Sequence, residues 1–223
     1  MKKHTNSELK QIYQEVLCEY NQSNLATDFG YHQDYSHYVF KEICICYDLI
    51  NENSKILDIG TGSGILPRFF KKLGHDVWSI DSSKVSGSSA LNNIAKAGIT
   101  QIDLDISTDS IPLDDHSIDL IFMGDVIEHL IHSPKKILIE FHRILSHSGK
   151  LVIATPNSVR LSVRLRVFAG FSNWQKITDY FESYYNYGHH HEYTSSELRY
   201  ILNGTNFSIY SEGSFTWNGI TQN

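Results

Sequence analysis

Between Lys55 and Leu202 the chain alternates short β-branched runs with amphipathic segments of helical length, and no other feature restricts its fold so tightly. Residues 55–59 read as a buried strand that ends in the glycine-rich turn Gly60-Thr61-Gly62-Ser63-Gly64, with a helix expected over 65–73. Further strands are expected at 76–80, 100–106, 118–123 and 150–155, and a helix over roughly 84–97. Another helix opens at Ser133 as N-cap and Pro134 as first helical residue, and Ser148-Gly149 stops it. Thr194 and Glu197 form a capping box for a helix over 194–202, after which 207–210 and 215–220 are the remaining strand candidates. Such alternation predicts an α/β fold: a doubly wound (Rossmann-like), mostly parallel sheet of about seven strands with helices on both faces.

Two segments stand outside that rhythm. Residues 7–20 carry Leu9, Ile12, Tyr13, Val16 and Leu17 at helical spacing, with Ser7 as expected N-cap, and a second helix is expected over 33–51. Residues 1–52 are therefore read as an N-terminal helical cap and 53–223 as the main domain. Within the latter, about 157–192 is a helical, aromatic lid insert. It holds Arg160, Arg164 and Arg166 among apolar residues, then Trp174, Tyr180, Phe181, Tyr184, Tyr185 and Tyr187. Tyr31, His32 and Tyr35 are placed to close the other side of a site.

Composition narrows the function classes. With 41% hydrophobic and 20% charged residues the 223-residue chain is not a disordered one. Its 19 Lys plus Arg against 25 Asp plus Glu give −6, which disfavours a broad nucleic-acid surface. Three cysteines suggest neither a disulfide framework nor a metal clip. No apolar run reaches the roughly 18 residues of a membrane span, so a cytoplasmic location is expected.

In a doubly wound sheet, ligands bind beyond the carboxyl ends of the strands, and glycines there let a ligand approach main-chain N–H groups. A dinucleotide fingerprint would need a third glycine where Ile65 stands, which weakens a nicotinamide reading. Asp81 closes the second strand, 21 positions after Gly60, where a carboxylate can accept from both hydroxyls of a ribose.

The blocks Leu57–Gly64, Ser79–Asp81, Asp105–Asp119, Gly124–Leu130 and Arg143–Asn157, in that order and spacing, resemble class I S-adenosylmethionine-dependent methyltransferases of the type 11/23-like group. The resemblance runs from about Lys55 to Leu202. It implies that Asp58 and the Gly60, Thr61, Gly62 and Gly64 backbone cradle the methionine part of S-adenosyl-L-methionine. It implies that Asp81, with Ser82, holds the ribose, and that Asp105 and Ile106 meet the adenine, Asp103 being the alternative for that contact. Gly124, Asp125 and His129 would line the pocket where the methyl group faces its acceptor. His129 is the candidate base, with packing beside the cofactor as its alternative role.

Some relatives, notably small-RNA 2′-O-methyltransferases and certain ubiquinone-pathway O-methyltransferases, bind a divalent metal through an acidic-x-x-Glu-His set. Asp125, Glu128, His129 and His132, at helical spacing, could supply that set on one helix face, with His189 downstream. The reading adopted is metal-free. The expected activity is methyl transfer to a small-molecule, glycan or lipid-linked acceptor, at oxygen. The alternatives are a metal-dependent 2′-O-methyltransferase of RNA, an NAD-dependent oxidoreductase on a similar fold, and a cofactor-binding module without turnover. Members of the family end in a hairpin that completes the sheet, whereas the last strand expected here is short.

Overall fold

The computed structural model describes residues 4–22, 36–86, 88–172, 177–182, 188–215 and 221–222. At its centre lie five parallel strands: β1 (Lys55–Ile59), β2 (Asp76–Asp81), β3 (Thr100–Asp103), β4 (Ile118–Gly124) and β5 (Leu145–Ala154). Their spatial order is β3-β2-β1-β4-β5, so the winding direction changes between β1 and β4. Ile59 is level with Ile80 on one side and Met123 on the other, and the turns after β1, β2 and β4 therefore open at one edge. The crevice at such a switch point is where this architecture takes ligands.

The two-residue period of the strands divides their apolar side chains between two cores. Ile56, Val77, Leu120 and Phe122 pack with α1 (Asn6–Gln22), α2 (Ser36–Leu49), α3 (Ile65–Lys72) and Ile94 of α5 (Ser88–Lys96). Leu57, Ile59, Ile80, Ile121 and Met123 pack instead with α6 (Lys135–Ile144), whose Ile137, Leu138, Phe141 and Ile144 are buried, and with part of α9 (Ser195–Asn203). Helices thus cover both faces, as expected. No described helix is long and apolar enough to cross a membrane.

Several local expectations change. The expected helix over 84–97 divides into the one-turn α4 (Ser83–Ser86) and α5. Helix α1 is capped by Thr5 rather than Ser7: the Glu8 N–H donates to Thr5 Oγ1 at 3.3 Å and the Thr5 N–H donates to Glu8 Oε2 at 2.6 Å. Strand β3 stops at Asp103 instead of running to 106, because Asp105 Oδ1 accepts from the Ser107 N–H (3.0 Å) and hydroxyl (2.6 Å) and turns the chain. Helix α6 ends at Ile144, and the pairing of β4 with β5 jumps from Ile118–Leu145 to Leu120–Lys150, so residues 146–149 bulge from the sheet.

The sheet has five strands rather than about seven among the described residues. Residues 207–210 form no strand: Phe207 packs on the second core, but Ile209, the next residue that would face inward, is 38% exposed. A separate antiparallel pair, β6 (Ser214–Phe215) and β7 (Thr221–Gln222), follows. In the insert, α7 (Leu161–Phe168) buries only Val163, leaving Leu161, Leu165, Val167 and Phe168 exposed, and Phe181 of α8 (Ile177–Glu182) is exposed too. Tyr31, His32, Tyr35, Trp174, Tyr184, Tyr185 and Tyr187 lie outside the described residues.

Candidate active site at the carboxyl edge of the sheet

The turn after β1 is built on left-handed backbone: Gly60, Gly62 and Gly64 have φ of 69°, 49° and 69°. Only glycine takes these angles without strain. Gly60 also lies against the turn that follows β4, since a Cβ there would come within 2.2 Å of Val126 Cγ2. Gly62 is different. A Cβ on it would meet only the Gly60 carbonyl, at 3.8 Å, so the outer side of the loop is bare backbone, a cradle of the kind a ligand's amino-acid tail requires. Beneath it Asp58 is buried, and burial pushes its carboxyl up to about 7, opposed by the Thr61 side chain and helped by the Asp81 charge. The Thr61 hydroxyl makes a short contact with that of Ser79.

Asp81 serves the same loop. Its Oδ2 accepts from the Gly62 N–H at 3.0 Å, and its Oδ1 accepts from the Ser82 N–H (2.7 Å) and the Ser86 hydroxyl (2.8 Å). Three donors against about four lone-pair sites leave capacity for a further hydroxyl. Asp103, level with Asp81, accepts from the Ser83 N–H at the start of α4 (2.8 Å). Asp105 is committed to Ser107, whose hydroxyl holds the Asp105 carboxyl below its ordinary range, and Ile106 packs against the second core.

At the end of β4, a Cβ on Gly124 would strike the Phe122 ring at 2.5 Å and approach Glu42 Oε1 to 3.5 Å. Asp125 has φ of 51°, its N–H donates to the Ala154 carbonyl (2.9 Å), and its Oδ1 accepts from the Tyr38 hydroxyl of α2 at 3.1 Å. The expected helix face of Asp125, Glu128, His129 and His132 does not form. The left-handed Asp125 breaks it, and Ile127–His129 make a single 3-10 turn.

A different grouping arises. Glu128, His129 and His189 each bring a ligand-type atom within 4.8 Å of the others. The His129 and His189 rings meet edge-on with centroids 4.9 Å apart. The loop bearing His189 is pinned by its neighbours, the His190 and His191 N–H groups donating to the Glu128 carbonyl at 2.7 and 3.2 Å. Glu128 is fully buried; its Oε2 accepts from the Thr155 hydroxyl at 2.9 Å, while its Oε1 has no hydrogen-bond partner and lies 4.0 Å from His189 Nε2. Burial lifts the Glu128 carboxyl to about 7, with Asp125 adding to the rise and Thr155 and His189 opposing it. On the far side of the ring, His189 Nδ1 is 2.8 Å from Glu192 Oε1, which leaves Nε2 facing Glu128.

Residues 57–153 match a family model described as a methyltransferase domain, a stretch that runs from within β1 to within β5. That segment is a class I S-adenosylmethionine-dependent methyltransferase domain. A curated relative, the ubiquinone biosynthesis O-methyltransferase of Pelagibacter ubique, is 31% identical over 106 residues; the match covers 48% of this chain and 43% of the relative, less than half of its length. A methyltransferase structure from Archaeoglobus fulgidus shares the fold with a TM-score of 0.58 at 16% identity, over 82% of this chain and 72% of that one. Another, from Methanosarcina mazei, gives 0.57 at 20% identity, over 79% and 92%.

S-adenosylmethionine is the cofactor of such a domain, and the residues expected from the sequence to meet it stand along the carboxyl edge of the sheet. Asp58, the glycine loop, Asp81 and Ser82 lie on its β1–β2 side, Asp105 and Ile106 beyond β3, and Gly124, Asp125 and His129 beyond β4. Four residues that the sequence reading did not single out touch these groups: Tyr38 bonds to Asp125, Glu42 lies over Gly124, Thr155 bonds to Glu128 and Glu192 meets His189. Glu42 left a signal, being a charge on the stripe formed by Val39, Ile43 and Cys46. Glu192 and Thr155 left none beyond their polarity.

Proposed function

We propose that this chain transfers the methyl group of S-adenosylmethionine to an oxygen of a small-molecule, glycan or lipid-linked acceptor. The observation that carries the reading is the Glu128–His129–His189 cluster just beyond the end of β4, since a hydroxyl must lose its proton as it attacks. The name of the Pelagibacter relative, an O-methyltransferase, supports the same choice of atom.

The cofactor supplies an activated methyl group on a sulfonium. The protein's part is to align it, which can be worth roughly 7–11 kcal/mol in well-oriented reactions. In this reading the backbone of Gly60, Thr61, Gly62 and Gly64, with Asp58, holds the methionine part, Asp81 and Ser82 the ribose, and Asp105 and Ile106 the adenine. Gly124 and Asp125 shape the wall where the acceptor enters. His129, exposed at the mouth, takes the acceptor's proton, with His189 edge-on behind it and Glu192 fixing the His189 ring.

A second reading of the same cluster is favoured by Glu128 Oε1, a buried oxygen without a partner facing His189 Nε2. Glu128, His129 and His189 would then hold a divalent cation, with Glu192 behind His189 as supporting carboxylate, and the cation would make an acceptor hydroxyl more acidic. RNA as the acceptor is disfavoured by the charge of −6.

Calorimetric titration with S-adenosylmethionine, S-adenosylhomocysteine and NAD tests the cofactor, and transfer of labelled methyl to hydroxyl-bearing acceptors tests the reaction. Binding of NAD alone overturns the proposal. Loss of transfer on chelation, restored by a divalent metal, selects the second reading; indifference to chelator and no metal on elemental analysis select His129 as base.

A further inference from the structure

Glu42 has no part in the roles assigned above. It lies on the buried side of α2 with Val39, Ile43 and Cys46, where a carboxylate is costly unless something charged or polar meets it. The residue is only 5% exposed, and Oε1 has no hydrogen-bond partner. That oxygen lies over the end of β4, where a Cβ on Gly124 would approach it to 3.5 Å. Tyr38, one turn earlier, donates to Asp125 and is within hydrogen-bonding reach of Glu42 as well. Asp58 and Asp125 both act on the Glu42 carboxyl through space. Three acids from α2, β1 and β4 therefore converge on the crevice at the switch point. Burial and the Asp125 charge hold Glu42 well above the ordinary carboxylate range, which is the mark of a site lacking its countercharge.

We propose that Glu42 Oε1 receives the α-ammonium group of the cofactor's methionine part, so that α2 forms a wall of the cofactor site. The inference rests on the reading of the Asp58–Gly64 loop as the methionine end. The sulfonium is a poorer match, because its charge is shielded by three carbons and it carries no donor. An ammonium group offers three N–H donors to an oxygen that has none.

The test compares S-adenosylhomocysteine, which carries the ammonium, with 5′-methylthioadenosine, which keeps the thioether and nucleoside and lacks the amino-acid tail. Calorimetry on the full chain is expected to show Glu42→Gln binding S-adenosylhomocysteine at least about ten-fold more weakly while 5′-methylthioadenosine stays within about two-fold of the unaltered protein. The unchanged second ligand also certifies that the isosteric variant folds. On the unaltered protein, the 2-oxo analogue of S-adenosylhomocysteine, in which a carbonyl replaces the ammonium, is expected to bind at least ten-fold more weakly. Glu42→Gln is expected to shrink that discrimination. Equal weakening of both ligands by Glu42→Gln, or unchanged affinity for S-adenosylhomocysteine, would overturn the assignment to Glu42 and leave the cofactor site standing. Failure of the unaltered protein to bind either ligand would overturn the cofactor site itself and the assignment with it.

Discussion

The wall of the crevice at β1 comes from one contiguous stretch, Asp58 to Gly64, in which buried strand, left-handed glycines and helix start follow without interruption. The wall beyond β4 draws Glu128, Thr155, His189 and Glu192 from separate stretches and depends on two backbone bonds, from His190 and His191 to the Glu128 carbonyl, to bring them together. The first wall is a backbone device, kept bare by its left-handed angles and, at Gly60 and Gly64, by close packing as well. The second is an arrangement of side chains, whose chemistry can be altered without disturbing the sheet. The two should therefore fail differently: the first with loss of cofactor and stability, the second with loss of turnover alone.

The largest effect is expected from Gly60→Ala. The variant must hold φ near 69° and place a Cβ within 2.2 Å of Val126 Cγ2, costs that together come to about 2–4 kcal/mol. Affinity for S-adenosylhomocysteine should fall by about 100-fold or more. Adding Val126→Ala should recover the steric part and not the backbone part. Gly62→Ala, with room for its Cβ, should cost only about 1–2 kcal/mol. If both glycine variants behave alike, the contrast between close packing and bare backbone within this wall is wrong.

Next comes the pH dependence of the β1 wall without ligand. Asp58 has its carboxyl raised to about 7 in the folded chain. Between its unfolded value and 7 the folded state binds more protons than the unfolded state, so stability falls as pH rises through that range. The loss between pH 5 and pH 8 is expected to be on the order of 3 kcal/mol for Asp58, and Glu128, also near 7, adds in the same direction. Denaturant titrations at the two pH values should show this slope, and Asp58→Asn should remove its own share. A chain equally stable at both would contradict the buried-acid account.

For the second wall, Glu128→Gln keeps an oxygen to accept from Thr155 and removes the charge that faces His189. Methyl transfer should fall by about 100-fold while S-adenosylhomocysteine binds within about two-fold of the unaltered protein. A matching loss of cofactor affinity would mean that the walls are not separable.

The same contrast explains what could be read from residues alone. The strand–helix alternation, the glycine turn and the Thr194–Glu197 capping box are local signals, and each appears at its expected place. The β4 side was legible only as a set of residue types. Glu128, His129 and His189 stood out, but helical spacing placed Asp125 and His132 with them, and nothing local announces that Asp125 turns left-handed and reaches Tyr38. The end of β3 failed for a related reason: Asp105 bonds to Ser107 within its own loop, a side-chain choice that competes with the strand. Residues 207–210 have strand-like alternation, yet no neighbour buries Ile209.

The smallest effect is expected at Glu192, which acts on His189 from behind. Its Oε1 lies 2.8 Å from His189 Nδ1, and its Oε2 is 3.4 Å from Arg160 Nη1, so the carboxylate ties the ring to the start of the insert. Glu192→Gln retains an oxygen acceptor for Nδ1 and loses the charge. Turnover should drop by about ten-fold with the KM for S-adenosylmethionine unchanged. Glu192→Ala, which frees the ring to rotate, should cost more, and Arg160→Ala less than either. If a divalent cation occupies the cluster, Glu192→Gln should also weaken manganese binding by a similar factor, whereas a metal-free base would show the turnover defect alone. A Glu192→Ala variant with full turnover would mean that His189 needs no orienting partner and that the second wall is held by the two Glu128 carbonyl bonds.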